Sequence, residues 1–218
     1  MEIMKPADIE RRSMEIIDGE LASRGIALPA DTLPIVRRVI HTTADFDYAQ
    51  SLRFTPDAVR LGQAALRGGV IVTDTNMALA GINKAALKRL GGEAVCFMAE
   101  ERIAAEAKAR GVTRATASVD YAAERFPGAI FAVGNAPTAL LRLAEHMERG
   151  MRPALVIGAP VGFVNVVESK ERILALCGRL GVPAVVALGR KGGSGVAAAI
   201  CNALLYDAAG LTEPEKRN

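Results

Sequence analysis

Five short apolar runs stand out along the last two thirds of the chain, and none of them contains a charged residue. They are residues 69–73 (GVIVT), 94–97 (AVCF), 130–133 (IFAV), 154–158 (ALVIG) and 184–188 (AVVAL). Such continuous runs are typical of strands that are covered on both faces. Patterns with helical periodicity follow at about 83–90, 99–110, 136–149, 168–180 and 194–208. This alternation predicts βαβ units with right-handed crossovers and a parallel sheet.

The first 68 residues carry a different pattern, which is helical and contains no strand signal. It predicts helices over residues 6–24, 31–41 and 56–67. The second helix has Asp31 or Thr32 as its cap and Pro34 in its first turn. Arg37 and Arg38 lie one turn before His41, so their side chains share its polar side of the helix.

The length of the chain, 218 residues of which half are apolar, fits one α/β domain. We predict a single domain over residues 1–218, with a helical lead-in at about 6–68 and βα units at about 69–208. The N-terminal sequence MEIMKPADIERR lacks the apolar segment of a signal peptide. No apolar run approaches the roughly 20 residues that cross a bilayer. These features predict a cytoplasmic protein that does not bind membranes.

Composition argues against several partners. The formal net charge is +3, the basic residues are scattered, aromatic residues make up 4% and tryptophan is absent. A base-stacking surface is therefore poorly supplied, and nucleic acid is not an expected partner. The cysteines Cys96, Cys177 and Cys201 lack CxxC spacing and lie in apolar patterns. We interpret them as small hydrophobic residues and predict neither disulfides nor a metal site.

Four polar loops follow the predicted strands. They are residues 73–84 (TDTNMALAGINK), 134–140 (GNAPTAL), 158–163 (GAPVGF) and 189–195 (GRKGGSG). In open parallel sheets, ligands bind beyond the carboxyl ends of the strands. Glycine next to the start of a helix also favours anions, because backbone N–H groups are free there. The sequence thus predicts a broad ligand site at this edge of the sheet.

The loop over Gly189–Gly195 is the best candidate for binding an anion. Its glycines permit a close backbone approach, Arg190 and Lys191 supply positive charge, and Ser194 can cap the last helix. The loop matches neither GxxxxGK[ST] nor GxGxxG. A plain turn with a helix cap explains it equally well, and the pattern does not distinguish phosphate from carboxylate.

The chain has two histidines, which the sequence places differently. His146 lies near a helix end, where we interpret it as a solvated group. His41 ends a helix, and Asp45 and Asp47 follow closely enough to orient its imidazole. Although a plain helix-end histidine remains an alternative, His41 is the better-placed group for acid–base catalysis.

Three polar residues at the ends of strands stay ambiguous. Asn135 either presents its amide to a ligand or caps the following helix. Asp74 and Thr75, at the end of the first predicted strand, have the same two interpretations.

Several segments resemble precorrin-8X methylmutases in the order in which they occur. They are RVIHTTADFDY (38–48), TDTNMALAGINK (73–84), GNAPTAL (134–140), PVGF and ESK (160–163 and 168–170), and LGRKGGSG through NALLY (188–206). The resemblance runs from about Lys5 to Asp207. The segments HTTADFDY (41–48) and TDTNMALAGINK (73–84) are more similar to the cobalt-precorrin-8 branch of the family than to the precorrin-8X branch. One departure is Asn165-Val166-Val167, where many relatives carry small residues.

The resemblance implies a three-layer α/β/α domain with a five-stranded parallel sheet, acting as a homodimer. It implies an isomerase of corrin biosynthesis that moves a methyl group from C11 to C12 of precorrin-8 or cobalt-precorrin-8, giving cobyrinate or its cobalt form. No organic cofactor takes part, and any cobalt arrives within the tetrapyrrole substrate. His41 is implied as the proton donor and acceptor, and Ser13 and Arg38 as substrate-binding residues.

The residues themselves give these roles a physical meaning. The substrate carries many carboxylates, which suit arginine side chains and free backbone N–H groups. We therefore add further substrate-binding candidates, namely Thr42, Asn135, Arg190 and Ser194. Two other classes of function remain alternatives: a nucleotide-dependent α/β enzyme that uses Gly189–Gly195 for phosphate, and a non-catalytic corrinoid carrier.

Overall fold

A twisted sheet forms the middle layer of the protein in the computed structural model, which describes residues 5–217. Six strands are present in that range: β1 Leu52–Phe54, β2 Val70–Thr73, β3 Glu93–Val95, β4 Ile130–Val133, β5 Leu155–Gly158 and β6 Ala184–Ala187. Their order across the sheet is β1-β6-β5-β4-β2-β3. The five predicted strands are confirmed, and all pairings among them are parallel.

The prediction that no strand precedes residue 69, and hence that the sheet has five strands, was wrong. Strand β1 pairs antiparallel with β6, and its register places Leu52 opposite Ala187 and Phe54 opposite Val185. It is three residues long, and only Leu52 is buried while Arg53 is exposed. Three residues are too few to show an alternating pattern, so this edge strand left no signal in the sequence.

Helices cover both faces of the sheet. Within residues 5–217 they are α1 Pro6–Ser23, α2 Leu33–Thr43, α3 Tyr48–Ser51, α4 Ala58–Ala65, α5 Asn76–Gly81, α6 Lys84–Arg89, α7 Glu101–Arg110, α8 Arg114–Arg125, α9 Pro137–Glu148, α10 Val166–Leu180 and α11 Ser194–Ala208, with a 3₁₀ helix at Pro214–Arg217. Helices α3, α5 and α8 were not predicted. Helix α8 buries mostly alanines together with Ser118 and Asp120, so its apolar stripe is weak in the sequence.

Alternate residues of each strand point to opposite layers. In β4, Ile130 and Ala132 pack with buried residues of α2 and α11, whereas Phe131 and Val133 pack with those of α9 and α10. The two cores lie on either side of the sheet, as a three-layer α/β/α fold requires. No helix in the described range is both long and apolar enough to cross a membrane.

Helix α2 shows how burial positions a functional face. Ile35, Val36, Val39 and Ile40 are at most 1% exposed, and burying each such side chain contributes about 1.5–3 kcal/mol. The helix is thereby fixed against α11, and its polar side, which ends at His41, faces away from that core. Thr32 occupies the N-cap position, as predicted, but its hydroxyl donates to the Pro29 carbonyl instead of capping the helix.

Candidate active site at the carboxyl edge of the sheet

The order of the parallel strands reverses between β2 and β4, and such a reversal opens a crevice at their carboxyl ends. Asp74, which directly follows β2, bridges this point. Its carboxylate accepts three backbone N–H bonds of 2.8 Å each, from Gly134, Asn135 and Ala136. Burial raises the pKa of Asp74, and the three N–H bonds oppose part of that rise. Asp74 therefore ties the two loops together.

Thr75 and Ser194 extend this connection to the last helix. Their hydroxyl oxygens lie 2.7 Å apart, and Thr75 also accepts a bond from the Ala78 N–H at the start of α5. A Cβ on Gly134 would lie 2.7 Å from the Ser194 Cα, so only glycine permits this approach. The prediction that Ser194 caps α11 was wrong, because Gly193 holds the N-cap position and the Ser194 side chain binds Thr75 instead.

The Gly-rich loop, residues 189–195, packs closely on the loop after β5. A Cβ on Gly192 would lie 2.2 Å from the Ala159 carbonyl oxygen, and the Gly193 N–H donates to that oxygen at 2.8 Å. Arg190 is exposed, and its guanidinium lies 5.6 Å from the Phe163 ring centroid. The first N–H groups of α11 lack partners within the helix, as at any helix start, which favours anions here.

Two lysines tie the Gly-rich loop to neighbouring parts of the protein. Lys170 of α10 is completely buried, and its Nζ donates to the carbonyls of Gly189 at 2.9 Å and Lys191 at 2.7 Å. Burial lowers the pKa of Lys170 to about 8. The exposed Lys191 binds Asp45 at 2.7 Å and Asp47 at 2.6 Å, and these bonds raise its pKa. The expectation that Asp45 or Asp47 orients His41 was therefore wrong.

Ser13 and His41 line one cleft, the α1–α2 cleft, which has a volume of about 390 Å³. The Ser13 hydroxyl donates to the Ile9 carbonyl at 2.9 Å, and His41 lies in the last turn of α2. His41 is exposed, but partial desolvation of its imidazole and the positive charges of Arg38 and Arg217 lower its pKa, while Glu10 acts in the opposite direction. The lowered pKa favours the neutral form of the imidazole.

Arg38 lies one turn away and lines a second groove, of about 610 Å³. Its Nη2 binds Glu10 Oε1 at 2.6 Å, and Arg217 of the C-terminal segment binds the same oxygen. The Tyr206 ring lies near both guanidinium groups, 5.2 Å from that of Arg38 and 4.1 Å from that of Arg217. Arg38 is thus already paired, unlike the free carboxylate-binding group that the sequence suggested. Arg37 instead faces Asp18, at 3.1 Å.

Two further candidates lie at different places around the edge. Thr42 donates to the Arg38 carbonyl at 2.9 Å, and its methyl lies next to Gly195 at the start of α11. Asn135 is exposed, and Ala136 rather than Asn135 holds the N-cap position of α9. The interpretation of Asn135 as the cap of α9 was therefore wrong, which leaves the interpretation of its amide as a ligand-binding group.

The interpretation of His146 as a solvated group was also wrong. Its Nε2 lies 2.6 Å from Asp120 Oδ1, and only 19% of its side chain is exposed. Asp120 also accepts bonds from Arg142 and Arg110. Burial raises the pKa of Asp120, but the bonds from Arg142, His146 and Arg110 outweigh it and hold the pKa below its usual value. Asp120 thus ties α7, α8 and α9 together.

Two of the three cysteines are buried, as their apolar patterns indicated, and Cys96 is partly buried. Cys177 and Cys201 are buried and free, and burial raises the pKa of each thiol to about 12. Such thiols stay protonated and are poor nucleophiles. Across residues 5–217, no group of three or more His, Cys, Asp or Glu side chains is arranged to hold a metal ion.

Comparisons with known proteins give a consistent result. The family model CbiC, precorrin-8X methylmutase, matches residues 8–207. The cobalt-precorrin-8 methylmutase of Salmonella typhimurium is 47% identical, over 94% of this chain and 96% of its own. The precorrin-8X methylmutase of Pseudomonas aeruginosa is 39% identical, over 90% and 93%. The crystal structure of precorrin-8X methylmutase from Thermus thermophilus superposes with a TM-score of 0.85 at 43% identity, covering 93% of this chain and 96% of that one.

Proposed function

The chain belongs to the precorrin-8X methylmutase family, whose members are isomerases that move a methyl group, and from this premise we propose how its residues carry out the reaction. The methyl group moves from C11 to C12 of a precorrin-8 macrocycle, and His41 transfers the proton that permits the migration. The cobalt form is the natural substrate, in keeping with the name of the Salmonella relative.

The observation that carries this proposal is the α1–α2 cleft, where Ser13 and His41 lie together. His41 is exposed at the end of α2 and has a lowered pKa, so its imidazole is neutral in the free protein. Carboxylates of an arriving substrate raise the pKa of a neighbouring imidazole. Protonation of His41 is therefore coupled to binding, and the proton becomes available when the macrocycle is in place.

The reaction is balanced as an isomerisation. His41 gives its proton to the conjugated macrocycle, the C11–methyl bond breaks as the C12–methyl bond forms, and the proton returns to the imidazole. The protein delivers no second reactant, so its contribution is to hold one macrocycle conformation and to stabilise the protonated π-system. Proton transfer by a positioned side chain contributes roughly 10²–10⁴-fold in rate.

The remaining candidates bind the carboxylate arms. Arg190, the Ser194 hydroxyl and the first N–H groups of α11 form the positive edge at the Gly-rich loop. Thr42 connects this edge to His41, because it lies beside Gly195 and follows His41 in the chain. Arg38 contributes at the other end, where a substrate carboxylate shares it with Glu10 while Arg217 keeps Glu10 neutralised. The exposed Asn135 amide donates to an arm near β4.

The test is incubation of the purified protein with cobalt-precorrin-8 and, separately, with precorrin-8. We expect a product of unchanged mass with an altered visible spectrum, released over many turnovers. A spectral shift that stops at one equivalent without release would indicate a corrinoid carrier. Tight binding of NAD(P) or ATP would instead favour the nucleotide-dependent enzyme.

Two further properties are part of the proposal. We expect a homodimer, because a tetrapyrrole bound at an open sheet edge needs covering walls, and sedimentation at micromolar concentration that gives a monomer would contradict it. We also expect a cytoplasmic location, which fractionation of producing cells would test.

A further inference from the structure

The first three carbonyl groups of the Gly-rich loop have partners inside the protein. Lys170 Nζ binds the carbonyls of Gly189 and Lys191, and the carbonyl between them, that of Arg190, accepts the Gly162 N–H at 3.2 Å. The three consecutive carbonyl oxygens of residues 189–191 thus each accept a hydrogen bond from another part of the protein. Each peptide group carries one N–H donor as well as one C=O acceptor, so the N–H groups of these residues need partners of their own.

Three consecutive donors of the loop have no partner inside the described part of the protein, whereas the Gly193 N–H binds the Ala159 carbonyl. Within residues 5–217, no acceptor receives a hydrogen bond from the N–H groups of Arg190, Lys191 or Gly192. In this part of the loop, the carbonyls of residues 189–191 are bound inside the protein, and the N–H groups of residues 190–192 are left for an external acceptor. A carboxylate is such an acceptor.

Burying the charged ammonium group of Lys170 in the core is unfavourable in free energy unless that group is hydrogen-bonded. Burial disfavours a charged group, and an apolar side chain of the same length would pack there without that cost. Lys170 also falls among the buried residues of α10, between Ser169 and Ile173, where the helix otherwise packs on the sheet. The geometry explains why the charge is present: two of its three donors hold the loop carbonyls.

The effect of Lys170 extends to the catalytic histidine through Lys191. The backbone of Lys191 is held by Lys170, and its side chain binds Asp45 and Asp47, which follow His41 in the chain. A shift of the loop therefore displaces both the carboxylate-binding edge and the segment that carries His41.

We propose that Lys170 is a positioning residue of the active site, which holds the carbonyls of the Gly-rich loop inward so that its N–H groups stay arranged for the carboxylates of the substrate. The inference rests on the proposed function, because that function places the substrate at this loop. Lys170 acts through the loop and not on the reacting atoms.

The experiment compares Lys170→Met, Lys170→Gln and the matched control Lys108→Met, which alters an exposed lysine of a different helix, α7. Two quantities are measured: hydrogen exchange in the free protein of the Gly162 and Gly193 amides, which hold the loop to the segment after β5, and the separate kcat and KM for cobalt-precorrin-8. We expect Lys170→Met to exchange these amides at least tenfold faster and to raise KM at least tenfold, while kcat falls less than threefold.

Lys170→Gln keeps two N–H donors on a shorter side chain, so it should recover part of the slow exchange and part of the low KM. It also provides the folded variant if Lys170→Met does not fold. A folded Lys170 variant with wild-type loop exchange and wild-type KM would overturn the inference. Failure of the wild type to isomerise either substrate would overturn the proposed function alone, since the exchange experiment needs no turnover.

Discussion

The two histidines of this protein occupy regions that differ in how completely their polar groups are satisfied. At α8 and α9, His146 binds Asp120, which two arginines also hold, and Asp120, Arg142 and His146 are mostly buried. At the α1–α2 cleft, His41 is exposed, and no other residue in the described range forms a hydrogen bond with its imidazole. The first arrangement fixes a histidine for structure, whereas the second leaves one available to a ligand. A carboxylate partner alone therefore does not mark a catalytic histidine.

The strongest test of this comparison is to remove each imidazole in turn. We expect His41→Ala to bind the tetrapyrrole but to lower kcat at least ~100-fold, because the transferable proton is lost. His41→Asn should fail nearly as badly, since its amide does not titrate. Single-turnover rates with matched circular dichroism measure the effect. Near-normal turnover by His41→Ala would reduce His41 to a positioning role.

The second test removes the charge of the buried Asp120 carboxylate. Asp120→Asn removes the charge that Arg110, Arg142 and His146 share, so we expect a loss of about 1–3 kcal/mol in the free energy of unfolding. The turnover rate below the melting transition should stay within twofold of the wild type. His146→Ala is the milder companion, with an expected loss of about 1 kcal/mol. Denaturant unfolding gives the stabilities, and a large loss of kcat with normal stability would mean that this cluster belongs to the active site.

A third test uses the charges around His41. Arg38→Ala removes a positive charge that lowers the pKa of His41, so the alkaline limb of the kcat–pH profile, where the proton donor is lost, should move to higher pH. The same variant should raise KM roughly tenfold, or about 1.4 kcal/mol, because a carboxylate-binding group is lost. Arg37→Ala is the control, since Arg37 faces Asp18 instead. An unchanged KM and pH profile in Arg38→Ala would show that its role is only to bind Glu10.

The smallest expected effect concerns stability against pH. The pKa of His41 is lower in the folded protein than its ordinary value of 6.5, so the unfolded chain binds more protons between those two values. Stability from this group is fully present above pH 6.5 and decreases as the pH falls through the folded pKa. The unfolding free energy of the wild type minus that of His41→Ala should therefore increase as the pH rises from the folded pKa of His41 to 6.5. A difference independent of pH between 5 and 7 would contradict the neutral imidazole.

The sequence predicted the sheet well because strands covered on both faces are continuous apolar runs. It missed β1, whose three residues are half exposed, and α8, whose buried face is built from small and polar residues. In the site, His41 was predicted from its position at a helix end and Ser13 from the family resemblance, and the structure brings them into one cleft. Local spacing alone could not show that Asp45 and Asp47 turn away from His41 to Lys191, because that partner lies far along the chain.

Lys170 and Asp120 were missed although the sequence contains a signal for each. The buried positions of α10 follow the helical period, and Lys170 stands on that stripe three residues before Ile173. Asp120 likewise stands among the buried residues of α8, next to Val119. A charged residue on an apolar stripe is bound to find a partner, because burying a lone charge costs too much. The identity of that partner depends on tertiary contacts.

The antiparallel edge strand β1 has a consequence for how the chain reaches its final form. Strand β6 is apolar along its whole length, and without β1 its outer edge would offer unpaired backbone groups to other chains, as in aggregation. The two strands lie roughly 130 residues apart, so the edge closes only after nearly the whole chain has left the ribosome. Removal of residues up to Phe54 should therefore produce insoluble protein, even though every parallel strand would remain.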